Sequence, residues 1–348
     1  MRICVFNPGI ETHAGEPGHN LGDHVIQQGV LPELSRLFPG AELFQLSTHE
    51  YLNSEQQRAA ASCDLKFVGA SNLLSSQQRG PGRQWLFKLR YALRVRDLIL
   101  FGPGWRDHQG EPNLYTRIFF KAVFSHRYVH SVRDNATKAR LARCGIPNVV
   151  NTCCPTLWPL LDVPASEWPS QKSDTAVIML TDYKVDREMD ARLVDLVQKH
   201  YRRVFFLPQG KWDETAHAPV VKRPGIVWLE RKASVIEKFV AEEPSFDYVG
   251  NRLHGGIRCL LKRRRTLILE VDNRAKEIGA DVGLPTLPRE DFAAIERWIL
   301  GPTTLNLRLP REAIQTWRNQ FASLTAACRE SLRPGTHTPP TPVGSRSA

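Results

Sequence analysis

An arginine and a histidine two residues apart, Arg252 and His254, stand in the run YVGNRLHGGIRCLL, directly after an apolar stretch at 246–249 that reads as a β-strand. Side chains at the carboxyl end of a parallel strand project into the crevice where open α/β sheets bind ligands. Gly255 and Gly256 follow where a helix should begin, so an anionic group could approach the helix N-terminus closely. A plainer reading stays open, in which Asn251 caps the helix and the Arg and His pair with nearby carbonyls.

Three more segments carry the same signature of polar residues at a strand end. Ser131, Arg133 and Asp134 close the strand of RYVHSVRDNATKARLARCGI; Asp134 or Asn135 can cap the following helix, and Gly145 can stop it. The run FGPGW places Gly102 and Gly104 after another strand, and Asp107 stands where a dinucleotide fingerprint needs its third glycine. That turn reads instead as a place where backbone can approach a ligand or a helix. Asn20, Gly22 and Asp23 in GHNLGDHVIQQGVL mark a helix N-cap at the end of a loop, 8–19, long enough to line a site. His13, His19 and His24 lack metal-site spacing.

The elements that must position these residues show as short apolar runs between segments of helical pattern. In the first half they fall at 3–6, 41–46, 65–68, 98–101, 128–132 and 149–152, and in the second at 176–180, 204–207, 226–229, 246–249 and 266–271. Continuously apolar strands separated by helices are what parallel sheets covered on both faces require. The expected fold is therefore α/β, with two doubly wound parallel-sheet domains at about 1–155 and 172–310. A proline-rich linker at 155–174 joins them, one amphipathic helix covers 311–332, and 333–348 reads as a disordered tail.

The 348 residues hold 47 Lys and Arg against 36 Asp and Glu, a net charge of +11, which points to anionic partners. With 42% hydrophobic residues the chain is too apolar to be wholly disordered. It carries no apolar run of membrane-spanning length, and its first residues read as a strand rather than a signal peptide. Seven cysteines without C-x-x-C spacing suit a reducing compartment and argue against disulfides or a zinc ribbon. The segment 83–97 reads as a basic amphipathic helix, with Trp85, Leu86, Leu89, Ala92 and Leu93 on one face; it can pack on a sheet or lie on an anionic membrane. The basic run 262–265 reads as a solvated turn, and no aromatic-interleaved platform for nucleic acid accompanies it.

Taken together, these segments resemble the polysaccharide pyruvyl transferase family. The motifs that carry the resemblance are Asn20-Leu21-Gly22-Asp23, Gly102-Pro103-Gly104, Ser131-Val132-Arg133-Asp134 with Gly145-Ile146, Arg252-Leu253-His254, and Asp272 with Lys276. They occur in the family's order across residues 1–285. Pro103 interrupts a turn that is usually all glycine, and Cys153-Cys154-Pro155 stands where many members carry an acid before the proline.

The resemblance implies two Rossmann-like domains, similar to those of GT-B glycosyltransferases, with the site in the cleft between them. It also implies transfer of a pyruvyl group from phosphoenolpyruvate to two sugar hydroxyls, giving a cyclic ketal and phosphate. His254 is then the first candidate for acid/base work, with Asp23 a base for the sugar hydroxyl or only a helix cap. Arg252 and Arg133, joined by Leu253 and Lys276, would hold the donor's phosphate and carboxylate. Asn20, Gly22, Gly102 and Gly104 would line the site.

No step of that chemistry needs a metal or redox cofactor; phosphoenolpyruvate enters as co-substrate. The expected partner is a sugar or oligosaccharide, lipid-linked acceptors included, met in the cytoplasm or at the inner face of the membrane. Nucleic acid is not expected. Two rivals stand: a GT-B glycosyltransferase using a nucleotide-sugar, and a non-catalytic sugar-binding protein of the same fold.

Overall fold

The computed structural model describes residues 1–10, 12–13, 16–17 and 20–332, the two internal pairs by backbone alone. The 333–348 segment, expected to be a disordered tail, lies outside the described residues, as does most of the 11–19 stretch of the loop expected to line a site.

Two parallel sheets organise the chain. In the first, the strands Glu42–Ser47, Arg2–Asn7, Leu65–Val68 and Ile99–Leu100 lie side by side in that order. A bridge between Phe101 and Ser131 extends it to the parallel pair His130–Val132 and Val149–Asn151. In the second sheet the order is Ile226–Trp228, Arg203–Phe206, Thr175–Ile178, Asp247–Gly250, Arg265–Glu270 and Thr286–Pro288. Counted along the chain within this sheet, that is the 3-2-1-4-5-6 arrangement of dinucleotide-binding sheets, with its reversal between Thr175–Ile178 and Asp247–Gly250. Strands such as Thr175–Ile178 are buried along their whole length because helices cover both faces, which is why they read as unbroken apolar runs. The two doubly wound parallel-sheet domains expected from the sequence are present.

The structure departs from the sequence reading at five places. Residues 83–97 do not form an amphipathic helix: only a 3-10 turn, Leu89–Leu93, is regular there. Trp85 and Phe87, two residues apart, both enter an aromatic cluster with Phe6 and Phe119, and only an extended backbone points such a pair the same way. The expected single helix at 311–332 is two, Arg311–Asn319 and Ala322–Ser331. The break lets the Gln320 amide accept from Val129 N and donate to Val129 O, while Phe321 packs on Phe38 and Phe67.

The basic run at 262–265 is solvated only in part, because Arg265 opens a strand and donates from its buried guanidinium to Asp247 at 2.5 Å. The strand Thr286–Pro288 was not anticipated; a proline ends its short, partly exposed run at the sheet edge. The proline-rich linker is itself packed. Pro155–Leu160 and Ala165–Glu167 are 3-10 turns, and Leu157, Trp158, Leu160 and Trp168 are buried.

The last described helices, Arg311–Asn319 and Ala322–Ser331, return to the first domain. Trp317 is fully buried and stacks on Phe101 with ring centroids 4.3 Å apart, beside Trp158 and Phe67. Trp317→Ala should therefore lower unfolding free energy by about 3–5 kcal/mol, read from urea or guanidinium unfolding curves. A loss within experimental error would show that the C-terminal helices are not part of the first core.

Candidate active site

Both sheets present their carboxyl ends to one cleft of about 680 Å³. From the first domain come Pro8 after the strand Arg2–Asn7, Ser71 and Asn72 after Leu65–Val68, and Arg133 after His130–Val132. From the second come Asp182 to Lys184 after Thr175–Ile178, Gly210 to Trp212 after Arg203–Phe206, and Arg252 and His254 after Asp247–Gly250. Pro8 with Ser71 and Asn72, and Asp182 to Lys184 with Arg252 and His254, flank the points where the two sheet orders reverse, the places where open sheets leave a crevice. Seven Lys and Arg side chains face four Asp in the lining, so the cleft favours an anion.

Hydrogen bonds tie the walls together on two sides. Leu21 N donates to Gln209 O at 3.1 Å, and the Gln209 amide donates to Asn20 Oδ1 at 3.0 Å. Asn20 also caps the helix Leu21–Leu37 by accepting from Gly22 N. Elsewhere Asp281 accepts from Asn135 N at 2.7 Å and from Asn151 Nδ2 at 2.9 Å, and Asn273 Nδ2 donates to Trp105 O.

The two arginines are buried, and each lies flat against a glycine. Any side chain at Gly104 would overlap the Arg133 guanidinium, which donates to Asn72 Oδ1 at 2.9 Å and to Asp134 Oδ2 at 3.3 Å. Asp134 also caps the helix Asn135–Arg143. In the second domain Gly210 plays the same part under Arg252. Arg252 Nε donates to Asp213 Oδ2 at 3.1 Å and Nη2 to Asp182 Oδ1 at 2.9 Å, with Nη2 also in contact with Asp213 Oδ1. Burial works against the Arg252 charge, but the two carboxylates outweigh it and hold its pKa above the ordinary value. Arg252 therefore borders the cleft with Nε and Nη2 committed to carboxylates, so its first duty is to fix the Asp182 and Gly210 loops.

His254 occupies the first turn of the helix Leu253–Leu261. Burial, and then the neighbouring Arg133 charge, pull its pKa from 6.5 down to about 3. The imidazole is neutral near pH 7, not poised at its titration midpoint as the sequence suggested. Its Nε2 lies 3.6 Å from the Cys154 sulfur, which in turn accepts from Thr156 Oγ1 at 3.0 Å. Burial raises the Cys154 thiol pKa, so the pair is a neutral thiol beside a neutral imidazole.

Of the residues singled out from sequence, Asn20, Asp23, Arg133, Arg252 and His254 share the lining of the cleft. Asp23 accepts from Ser71 Oγ at 3.0 Å, bridging two loops of the first domain. Gly22, Gly102, Gly104 and Leu253 stand behind the lining: Gly22 leaves room for the Gln209 amide, and Gly102, with a φ of +75°, for Pro155. Lys276 is exposed and outside the cleft; Arg274, two residues earlier, reaches it instead. Asp272 caps the helix Asn273–Val282 and accepts from Arg274 Nε at 3.0 Å.

Two local readings also change. Asn251 does not cap the helix: its Oδ1 accepts from Thr181 N at 2.7 Å. Gly255 and Gly256 serve the approach of helix to sheet, facing Met179 and Ile268 rather than an open anion site. Asp182, Gly210, Trp212 and Asp213 were missed. All follow the strands expected at 176–180 and 204–207, so the strand-end rule that found Arg252 would have found them too.

Three outcomes follow from this geometry. A His with a depressed folded pKa contributes stability fully above the unfolded value of 6.5 and loses it as pH falls toward about 3. His254→Gln should therefore flatten the fall in stability over that window, and NMR titration of Arg133→Met should place the His254 midpoint higher than in the parent. Parallel stability curves for parent and His254→Gln would contradict the buried neutral imidazole. Gly210→Ala should separate Arg252 from its carboxylates and destabilise the fold by about 3–5 kcal/mol, the scale of a broken buried pair, measured by chemical denaturation.

A family model described as polysaccharide pyruvyl transferase matches residues 20–237. No curated protein matches the chain in sequence. Among solved structures, UDP-N-acetylglucosamine 2-epimerase from Rickettsia bellii overlaps with a TM-score of 0.49 at 10% identity, covering 96% of this chain and 98% of that one. S. aureus MnaA, in a co-structure with UDP, gives 0.47 at 9% identity over 93% and 96% of the two chains. AviGT4, a glycosyltransferase involved in avilamycin A biosynthesis, gives 0.44 at 12% over 95% and 96%. Overlaps at that level carry no inference about activity. The sequence match spans more than half of the chain and contains Asn20, Asp23, the Gly102 turn and Arg133, and on that ground the protein belongs to the polysaccharide pyruvyl transferase family.

Proposed function

We propose that the protein transfers the pyruvyl group of phosphoenolpyruvate to two hydroxyls of one sugar, closing a cyclic ketal in the synthesis of an exopolysaccharide or cell-surface polysaccharide. The donor's methylene carbon takes up a proton and becomes a methyl group, leaving an oxocarbenium-like centre at C2. One sugar hydroxyl adds there and gives up its proton. The C2–O bond to phosphate then breaks, and the second hydroxyl closes the ring, its proton leaving with the phosphate or through a base.

The observation that carries this reading is that Arg133, Arg274 and a neutral His254 meet in one cation-rich cleft between the two sheets. Arg133 and Arg274 are close enough for the Arg133 charge to help hold Arg274 down at about 10, with burial the larger cause. Two guanidinium groups at close range, paired with Asp134 and Asp272, are a receptor for a polyanion that brings further acceptors. The donor's phosphate and carboxylate would offset the Arg133 charge, the smaller of the two causes that hold the His254 pKa down, and so move it upward, toward a group that can hold and deliver a proton. Asp23, bonded to Ser71, is the candidate to receive a hydroxyl proton. The acceptor is a sugar or oligosaccharide, lipid-linked ones included. All seven thiols are buried and free of disulfides, which suits a reducing compartment, and we place the reaction in the cytoplasm.

The test is phosphate release from phosphoenolpyruvate in the presence of a panel of sugar acceptors, including lipid-linked ones. Acceptor-dependent release is expected, and His254→Ala should lower turnover by about 10²–10⁴ with the fold intact. Nucleotide release from a nucleotide-sugar with no consumption of phosphoenolpyruvate would overturn the reading. A well-folded His254→Ala protein of near-normal turnover would remove His254 from the mechanism.

A further inference from the structure

The outer face of the first domain carries apolar side chains that no described residue covers. Leu93, at the end of the turn Leu89–Leu93, is 88% exposed; Leu114 and Ile118 on the helix Leu114–Val123 are 72% and 49% exposed. Leu114, Ile118 and Ala122 recur at intervals of four, so they form one stripe along that helix. Ala122 also borders an open groove of about 740 Å³ with Leu89, Ala92, Leu93 and Phe124, which joins the stripe to the turn. Isolated exposed apolar residues are ordinary; a stripe that runs into an apolar groove marks an interaction surface.

Basic groups outnumber acids around this face. Arg90, Arg94 and Arg96 lie on or just beyond the turn, and Arg117 and Lys121 flank the helix stripe; all five are exposed. The nearby acids are both paired: Asp97 lies 3.9 Å from Arg96, and Glu111 lies 3.1 Å from Arg143. Protruding leucine and isoleucine ringed by cations match an interface with apolar depth and anionic headgroups. We propose that this face docks on an anionic lipid bilayer, with Leu93, Leu114 and Ile118 entering the headgroup region and the five cations meeting lipid phosphates.

The same surface leads to the cleft. Arg83 borders both the cleft and a second, cationic groove with Arg79, Lys88 and Arg90. Leu89 and Arg90 then border both that groove and the apolar one. Docking by this face sets the Arg83 side of the cleft toward the membrane, whatever reaction the cleft performs.

The experiment is co-sedimentation of the full chain with vesicles of phosphatidylglycerol and phosphatidylcholine, against vesicles of phosphatidylcholine alone, at low and physiological ionic strength. Binding to the anionic vesicles is expected, weakened by salt because surface charge is screened within ~8–10 Å. The double variant Arg90→Glu, Arg96→Glu should lose about tenfold or more in affinity, and so should Leu93→Asp and Ile118→Asp, each with an unchanged melting temperature. These positions are exposed and outside the cleft lining, so phosphate release with a soluble acceptor should not change. Absence of binding to anionic vesicles at low salt would overturn the proposal, and so would variants that bind as the parent does. Sedimentation showing a dimer that Leu93→Asp dissolves, with no vesicle binding, would assign the face to a second copy of this chain and equally overturn it.

Discussion

A guanidinium taken out of water must be given acceptors where it lands, and the cleft is organised around two that have been. Arg252 holds Asp182 and Asp213, and those carboxylates also accept from Trp212 N, Gln209 N and Gly210 N, so one buried charge fixes two loops. Arg133 does the same work in the first domain through Asn72 and Asp134. Both need a neighbour without a side chain, which is why Gly104 and Gly210 sit where they do. The backbone of each sheet edge is thus shaped to hold a cation at the cleft before any ligand arrives, the preorganisation on which electrostatic stabilisation depends.

That arrangement also sets the state of His254. Shielded from solvent and close to Arg133, the imidazole gives up its proton. The same low polarity keeps Cys154 protonated, so its sulfur packs against the imidazole as a neutral neighbour rather than competing as a nucleophile.

Most of this was legible in the sequence, for a physical reason. A parallel strand buried on both faces leaves a short apolar run bounded by polar turns, and all eleven such runs coincide with observed strands. Residues that follow a strand directly are placed by it, so Arg133, Arg252 and His254 could be assigned to one crevice. What stayed hidden depends on partners distant in sequence. That Arg252 spends its fork on Asp182 and Asp213, 70 and 39 residues earlier, cannot be read from RLH alone. The stretch 83–97 misled because Trp85, Leu86, Leu89, Ala92 and Leu93 fit a helical stripe, while the packing of Trp85 and Phe87 against Phe6 and Phe119 chose the extended form. Lys276 misled by register: on a capped helix, two residues decide between Arg274 in the cleft and Lys276 in solvent.

The return of the last helices to the first domain has a consequence for the order of events during synthesis. The N-terminal sheet is complete once the strand Val149–Asn151 has emerged, yet Trp317, Phe321 and Cys328 belong to its core. A nascent chain therefore presents Phe38, Phe67 and Phe101 uncovered while the whole second domain is being made. The core of the earlier domain is thus completed only after the later domain has been synthesised, out of step with the usual N-to-C order in which domains mature.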